Sequence, residues 1–292
     1  QPNQANAVLL NPSSVGTVTA QANATLFTAM TSDFIHSITP SDTHADFSAR
    51  SNVNLNATCN AYYDGSSTNY FLPGGGCVNT CYSTVVSHEF GHWMNDLYGT
   101  GNGSDGMGEG NADTWSEYIY DNPIVGQDFF GPGGGDIRTG LNTRHFCGDC
   151  CGGCYGEVHT DGEVWMGAAW KIRAHLQAAY GQSMGSLIAN TLFLGWLNGY
   201  NQTQIRTIIE TQWLTLDDDD GNLRNGTPHF HAIDDGFREQ GFPGMTLSCP
   251  PPTIYCVTSP NSANPSGATM YWVGSNRIAN NNFVLLALGC PP

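Results

Sequence analysis

The stretch that decides the fold is Ser83–Gly99, STVVSHEFGHWMNDLYG. Val86, Phe90, Trp93 and Leu97 recur at helical spacing, Ser83 is placed to cap the N-terminus, and Gly99 stands at the expected stop. On such a helix His88 and His92, four residues apart, share one face, so both imidazoles reach a single ion. Paired neutral imidazoles suit zinc, and Glu89 is placed to take a proton from a water on the metal. Gly91 costs roughly 1 kcal/mol relative to alanine inside a helix, a cost that close backbone packing would offset. An ordinary amphipathic helix can carry His-Glu-x-x-His by chance, so the reading turns on a third ligand.

A zinc hydrolase needs three protein ligands and an open fourth position. One continuation of the motif, HExxHxxGxxH, is excluded because Asn95 stands at its glycine and Tyr98 at its last histidine. The other takes a glutamate from a following helix. Gly108-Glu109-Gly110-Asn111-Ala112-Asp113 supplies one, after a glycine-dense loop over residues 100–110 that lets a helix predicted at Asn111–Tyr120 fold back beside the first. Glu109 and Asp113 share a face: Glu109 is the metal ligand, and Asp113 accepts a hydrogen bond from a ligand imidazole and fixes its tautomer. Glu117, further down that face, is the alternative ligand.

On the N-terminal side, apolar spacing predicts a helix over Ala22–Ile38, and strict alternation predicts one half-buried strand over Asn52–Ala61. Asp64-Gly65 then turns into a second strand, Thr68–Leu72. On the C-terminal side the pattern is helical: Gly162–Tyr180 capped by Asp161, Met184–Asn198, a helix opened by an Asn201/Gln204 capping pair and running through Leu214, and one opened by Thr227-Pro228 and ending near Gly241. Asp217–Asp220 lies between the last two; read as an EF-hand loop it fails, because Gly221 at the sixth position puts Leu216 at the first. Four adjacent carboxylates leave two readings, a solvated acidic turn or a calcium site at Asp217, Asp218, Asp219 and Asp220.

The chain has 292 residues and a net charge of −16, with Lys171 its only lysine. Without clustered Lys and Arg, nucleic acid is not an expected partner. No apolar run has the length of a membrane span. Ten cysteines point to an oxidising compartment and hence a secreted protein, read here as a mature or trimmed form. Cys147, Cys150, Cys151 and Cys154 have zinc-knuckle spacing, but in that compartment disulfides are the expected use. Seven cysteines precede residue 245 and three follow it, so complete pairing requires a bridge between the two parts; otherwise a thiol is free. Pro243-Gly244 and Pro250–Pro252 mark a linker, dividing the chain into a main domain, 1–245, and a partial β-rich segment, 246–292, with strands at Met270–Val273 and Phe283–Leu288.

HEFGH followed by GMGEGNAD resembles the gluzincin metallopeptidases, the thermolysin and fungalysin group. Asn60-Ala-Tyr-Tyr-Asp-Gly65 is similar to the family's edge strand, whose Asn and Ala hold the substrate backbone. Val85 matches a position lining the pocket beyond the scissile bond, and Glu157-Val-His159-Thr-Asp-Gly-Glu-Val-Trp165 resembles the segment whose histidine donates to the oxyanion. Where thermolysin has an aspartate five residues before that histidine, this chain has Cys154. The resemblance implies an α+β fold with a strand-rich N-terminal lobe and a helical C-terminal lobe. It also implies a secreted zinc endopeptidase acting on protein or peptide substrates. Its zinc ligands would be His88, His92 and Glu109, its base Glu89, its oxyanion donor His159, and its substrate-binding residues Asn60, Ala61 and Val85. Tyr98 is the nearest candidate for a second oxyanion donor. The rival expectation is a non-catalytic extracellular protein that keeps zinc as a staple; an intact Glu89 argues against it, since a structural site needs no base.

Overall fold

In the computed structural model the histidine-bearing helix, α2, runs Ser83–Tyr98 and ends on Gly99, whose φ of 69° is the left-handed turn glycine takes without strain. Ser83 is its first residue rather than its cap; the capping position falls on Tyr82, whose side chain makes no capping bond. The structure describes residues 15–101, 105–150 and 152–247, with the backbone of three further strands at 253–254, 269–273 and 284–288.

Ahead of α2, helix α1 (Gly16–Ile38) begins earlier than its apolar spacing predicts. Strands β1 (Ser51–Leu55), β2 (Ala61–Tyr63) and β3 (Thr68–Phe71) then form one sheet in the order β1-β3-β2, parallel between β1 and β3, antiparallel between β2 and β3. The alternating run Asn52–Ala61 is therefore one strand, β1, followed by a bent segment that reaches the opposite edge of the sheet only at Ala61, the first residue of β2. Asn54 and Cys59 adopt φ of 59° and 61°, which breaks the extended chain, and the Cys59–Cys77 disulfide ties the returning segment to the loop ahead of α2. Alternation reports only that a residue faces in or out, and it carries no mark of where the extended chain bends.

Beyond α2, helix α3 (Gly106–Tyr120) also starts early, with the Asp105 carboxylate accepting from the Gly106 amide, so Glu109 lies in a first helical turn instead of a loop. The two-residue strands β4 (Ile124–Val125) and β5 (Arg138–Thr139) pair across the glycine-rich loop between them. Helix α4 (Val158–Tyr180) is capped by Glu157, not Asp161. Asp161 lies one turn inside and accepts from the Cys154 and Tyr155 amides, both at 2.6 Å, which folds the cysteine loop back over the helix start. Helices α5 (Gln182–Leu197), α6 (Ile208–Asp217) and α7 (Phe230–Glu239) follow.

Two further helix starts lie later than predicted. The Asn201/Gln204 pair caps nothing: α6 begins at Ile208, where Asp149 accepts from the Thr207 amide at 2.9 Å. Thr227-Pro228 likewise precedes the helix. Asp217, at the end of α6, accepts from the His229 amide at 2.7 Å and so does the capping of α7 from across the turn. The C-terminal strands β6 (Thr253–Ile254), β7 (Thr269–Val273) and β8 (Val284–Leu288) form an antiparallel sheet in that order.

What fixes the centre is the closeness of three helices. A Cβ added to Gly91 of α2 would lie 3.1 Å from the Ala112 Cα of α3 and 2.9 Å from Trp115. Across the next crossing, a Cβ on Gly110 would meet the Gly162 carbonyl at 2.7 Å, and one on Gly162 the Gly110 nitrogen at 2.8 Å. The helical cost of these glycines is offset by backbones that touch. Around the crossings lies the main core, including Trp115, Trp165, Trp196 and Trp213, all within 1 % of fully buried; a second apolar cluster with Tyr70, Val85, Val86 and Phe129 lies under the first sheet.

Cys147 and Cys154 are disulfide-bonded, which removes two of the four thiolates a zinc knuckle would require. Cys81 is a buried, unbridged thiol. Cys249, Cys256 and Cys290, on which a bridge between the two parts depends, lie outside the described residues. Among the described residues no helix is long and apolar enough to cross a membrane.

Candidate metal centre

Helix α2 turns His88 and His92 toward the start of α3, where their Nε2 atoms lie 3.3 Å and 3.6 Å from the same Glu109 oxygen, Oε2. The Gly91–Ala112 contact makes this possible, since a wider helix spacing would leave the carboxylate out of reach. Ligand atoms of His88, Glu89 and His92 also lie within 4.8 Å of one another. A third imidazole joins from the first turn of α4: His159 Nε2 is 3.4 Å from Glu109 Oε2. Yet Glu109 Oε2 is buried and has no hydrogen-bond partner. Buried polar atoms are ordinarily satisfied, so an orphaned carboxylate oxygen ringed by imidazole nitrogens marks a cation position. Atoms bound at about 2.0–2.1 Å to a tetrahedral zinc lie about 3.3–3.4 Å apart, close to the spacings found here.

Around this cluster the charges are ordered by hydrogen bonds. His88 Nδ1 lies 2.7 Å from Asp113 Oδ1, and Arg138 grips both Asp113 oxygens, at 2.7 Å and 2.8 Å. Burial opposes charge on His88, but Asp113, Glu109 and Glu89 outweigh it and push its imidazole up to about 10 without a metal. Burial likewise opposes charge on Asp113, and Arg138 and His88 overcome it, holding the carboxyl at about 2. Glu109 is held far below the usual carboxylate range: burial acts against ionisation, and the two histidines outweigh it. Glu89, buried and facing the same histidines, is raised by desolvation. One carboxylate is thus committed to charge and its neighbour is prepared to take a proton.

His159 is half-exposed, and its Nδ1 lies 2.6 Å from Glu157 Oε1. Burial acts against ionisation of Glu157, but hydrogen bonds from His159 and Thr160 together outweigh it and hold its carboxyl at about 2. Glu157 is therefore ionised, and His159 Nδ1 is the donor between them. Glu157 is thus the carboxylate partner of His159, which Cys154 leaves without one five residues upstream. The signal is two residues upstream, inside the Glu157-Val-His159 stretch itself.

The cluster floors a cleft of about 960 Å³. Asn60 and Ala61 line it at the start of β2, an edge strand with one neighbour, whose outer backbone groups are open to another strand. Val85 lines it beside Val125, Phe129, Phe130 and Ile137, forming an apolar wall. Arg138 belongs to the cleft too, and sequence reasoning misses it; its only advance signal is that it is one of nine cations in a strongly acidic chain. Among the described residues its Nη1 has no protein acceptor.

Three expected site residues fall elsewhere. Tyr98 lies on the buried side of α2, where its hydroxyl donates to Asp42 at 2.6 Å and its ring stacks on His44. It lies away from His88, His92 and Glu109 and outside the cleft, so it is no oxyanion donor. Glu117 is fully buried further down α3, outside the cleft, with its carboxyl raised by burial and by Asp113. Asp217 spends its carboxylate on the His229 amide and ring, whereas oxygens of Asp218, Asp219 and Asp220 lie within 4.8 Å of one another.

No protein-family model matches the sequence, and no curated protein matches it. Among solved structures the chain is similar in fold to the precursor of protealysin, a metalloproteinase from Serratia proteamaculans. The TM-score is 0.56 at 11 % identity, over 80 % of this chain and 81 % of that one. At that identity the likeness is one of fold: a mixed helix-and-strand architecture shared with that protein.

Proposed function

We propose that this chain is a secreted, zinc-dependent endopeptidase of the gluzincin kind, with residues 1–245 as its catalytic domain in two lobes and residues 246–292 as an appendage. The observation that carries the reading is the orphaned Glu109 Oε2, ringed by the imidazoles of His88, His92 and His159 at the mouth of a strand-edged cleft. His88, His92 and Glu109 would hold the ion. Bound there, zinc polarises a carbonyl and acidifies water.

The remaining chemistry belongs to the chain. An extended peptide adds to the open edge of β2 at Asn60 and Ala61, its backbone completing the sheet. Arg138 offers Nη1 to a substrate carbonyl while Asp113 holds the rest of its guanidinium. Glu89, destabilised as an anion by burial, accepts the attacking water's proton and returns it to the leaving amine. His159, oriented by Glu157, donates Nε2–H to the developing oxyanion. The disulfides Cys59–Cys77 and Cys147–Cys154 support the extracellular setting, because such bonds persist where the surroundings oxidise thiols.

The test is Glu89→Gln, which should bind zinc stoichiometrically yet cleave casein about 100- to 10,000-fold more slowly. Normal cleavage by that variant would remove Glu89 from the mechanism. One observation favours the zinc-staple alternative: His159 Nε2 is as close to Glu109 as the other imidazoles, near enough to complete a closed site. Cobalt substitution separates the two. An open site gives a visible spectrum that responds to added hydroxamate, and a site closed by His159 does not.

A further inference from the structure

Beyond His159 the cleft wall carries a second guanidinium, Arg144, whose setting is that of a group prepared to bind. Of the cleft-lining residues only Arg138 and Arg144 are permanent cations, and Arg138 is bound to Asp113 through Nε and Nη2. Arg144 Nε donates to Glu163 Oε2 at 2.6 Å, its guanidinium lies over the Tyr155 ring at 4.9 Å, and its side chain is 40 % exposed. Among the described residues its two terminal nitrogens donate to no protein acceptor. Glu163 lies four residues after His159 on α4, so Arg144 stands one helical turn along from the oxyanion position.

The backbone beneath it is fixed from several sides. Asn142 Oδ1 accepts from the Arg144 amide at 2.9 Å, and the fully buried Gln240 donates to the Arg144 carbonyl at 2.6 Å and to Asn142 Oδ1 at 2.7 Å. Tyr155 is held in turn, its amide by Asp161 and its hydroxyl by the His145 amide at 2.8 Å. A surface arginine that served solubility alone would need no such frame. Stacking and one carboxylate contact restrict the side chain while leaving a planar two-donor fork toward the cleft, an arrangement matched to a second carboxylate. In a chain of net charge −16, a long-range field cannot recruit that carboxylate; the contact must be local.

Resting on the peptidase reading above, we infer that Arg144 is a specificity-determining anion subsite, selecting peptides that present a carboxylate about one residue's reach from the reacting carbonyl. That carboxylate has two sources, an Asp or Glu side chain or the peptide's own C-terminus.

The experiment uses the full chain with zinc and a quenched fluorescent peptide set. One arm scans glutamate against glutamine through three positions on either side of the cleaved bond, in C-terminally amidated peptides. The other compares free-acid with amide termini at increasing distance from that bond. Wild type should favour one glutamate position, or one terminal distance, by about tenfold in kcat/KM, the scale of an exposed charge-assisted pair. The first arm winning assigns the subsite to a side chain, the second to a chain end. In Arg144→Gln that ratio should collapse toward one, and in Arg144→Glu it should invert toward lysine-bearing peptides. A wild-type enzyme that cleaves every pair equally overturns the inference, as does an Arg144→Gln variant that slows all peptides in the same proportion. If wild type cleaves nothing, the peptidase reading fails, and the subsite is read separately by fluorescence polarisation of the same peptides. Charge-selective binding lost in Arg144→Gln still supports it, and equal binding overturns it.

Discussion

Two groups of acidic side chains converge in this molecule, and they are built in opposite ways. At the crossing of α2 and α3, the Glu109 oxygen is buried, charged and without a hydrogen bond, although three imidazoles surround it. In the turn after α6, oxygens of Asp218, Asp219 and Asp220 gather just as closely, but Asp219 and Asp220 are exposed. Asp220 accepts from the Asn222 amide and the Asn225 side chain, both at 2.9 Å. The first cluster leaves a buried oxygen facing only imidazole nitrogens, where an ion fits; the second already spends acceptors on its own turn. Convergence of carboxylates is therefore a weak sign of a metal, and an unsatisfied buried ligand set is a strong one.

Breaking that contrast starts with Glu109→Ala. Zinc affinity, measured by equilibrium dialysis, should fall by more than the roughly 100-fold that losing an outer hydrogen-bond partner costs, while Glu117→Gln should leave it within a few-fold. The reverse outcome would move the ligand to Glu117. A further buried carboxyl shows another solution, keeping its proton. Glu210 and Asp234, both within 5 % of fully buried, meet between α6 and α7, where burial and the Asp234 bond raise Glu210 from 4.5 to about 8. Because the folded pKa is the higher, this proton's stabilisation is complete below pH 4.5 and lost as pH rises through 8. Urea unfolding across that window should show a decline on the order of 3 kcal/mol once solvent screening is allowed for, which Glu210→Gln flattens.

Smaller effects sharpen the comparison. Asp113→Asn, which loosens His88 and Arg138 together, should cost about 10- to 100-fold in zinc affinity without unfolding the chain. Asp217→Asn should leave zinc binding unchanged and lower stability by about 1–2 kcal/mol in urea titration, because it removes the cap of α7. A loss of zinc in Asp217→Asn would join two regions that the contacts keep independent.

What the sequence makes legible is local. The spacing of Val86, Phe90 and Trp93, with Gly99 as the stop, describes α2 because helix periodicity and a left-handed end are encoded within a few residues. Glu109 and Asp113 can be placed relative to each other for the same reason. The misplacements are all relations between distant parts. Asn52–Ala61 reads as one strand because alternation says nothing of the bend at Asn54 and Cys59 that carries the chain from one edge of the sheet to the other. Thr227 looks like a cap because the true capping group, Asp217, belongs to another helix. Arg138 in β5 and Arg144 on the loop after it reach the cleft along a path fixed by Asp113, Asn142 and Gln240, none of which marks itself in the sequence as a partner.

Gln240 has a consequence for how far the chain can be cut. It closes α7, yet its side chain holds Asn142 and the Arg144 carbonyl, its carbonyl accepts from the Phe146 amide, and Lys171 donates to it from α4. Gly167 leaves it the room to do so. The end of the last helix of the main domain is thus the buttress of the cleft wall at Arg144, roughly three hundred angstroms of backbone contour away along the chain but in direct contact with it in space. Fragments ending before residue 240 would keep the histidine pair and lose the wall, so the smallest working fragment is set by a glutamine with no part in the chemistry.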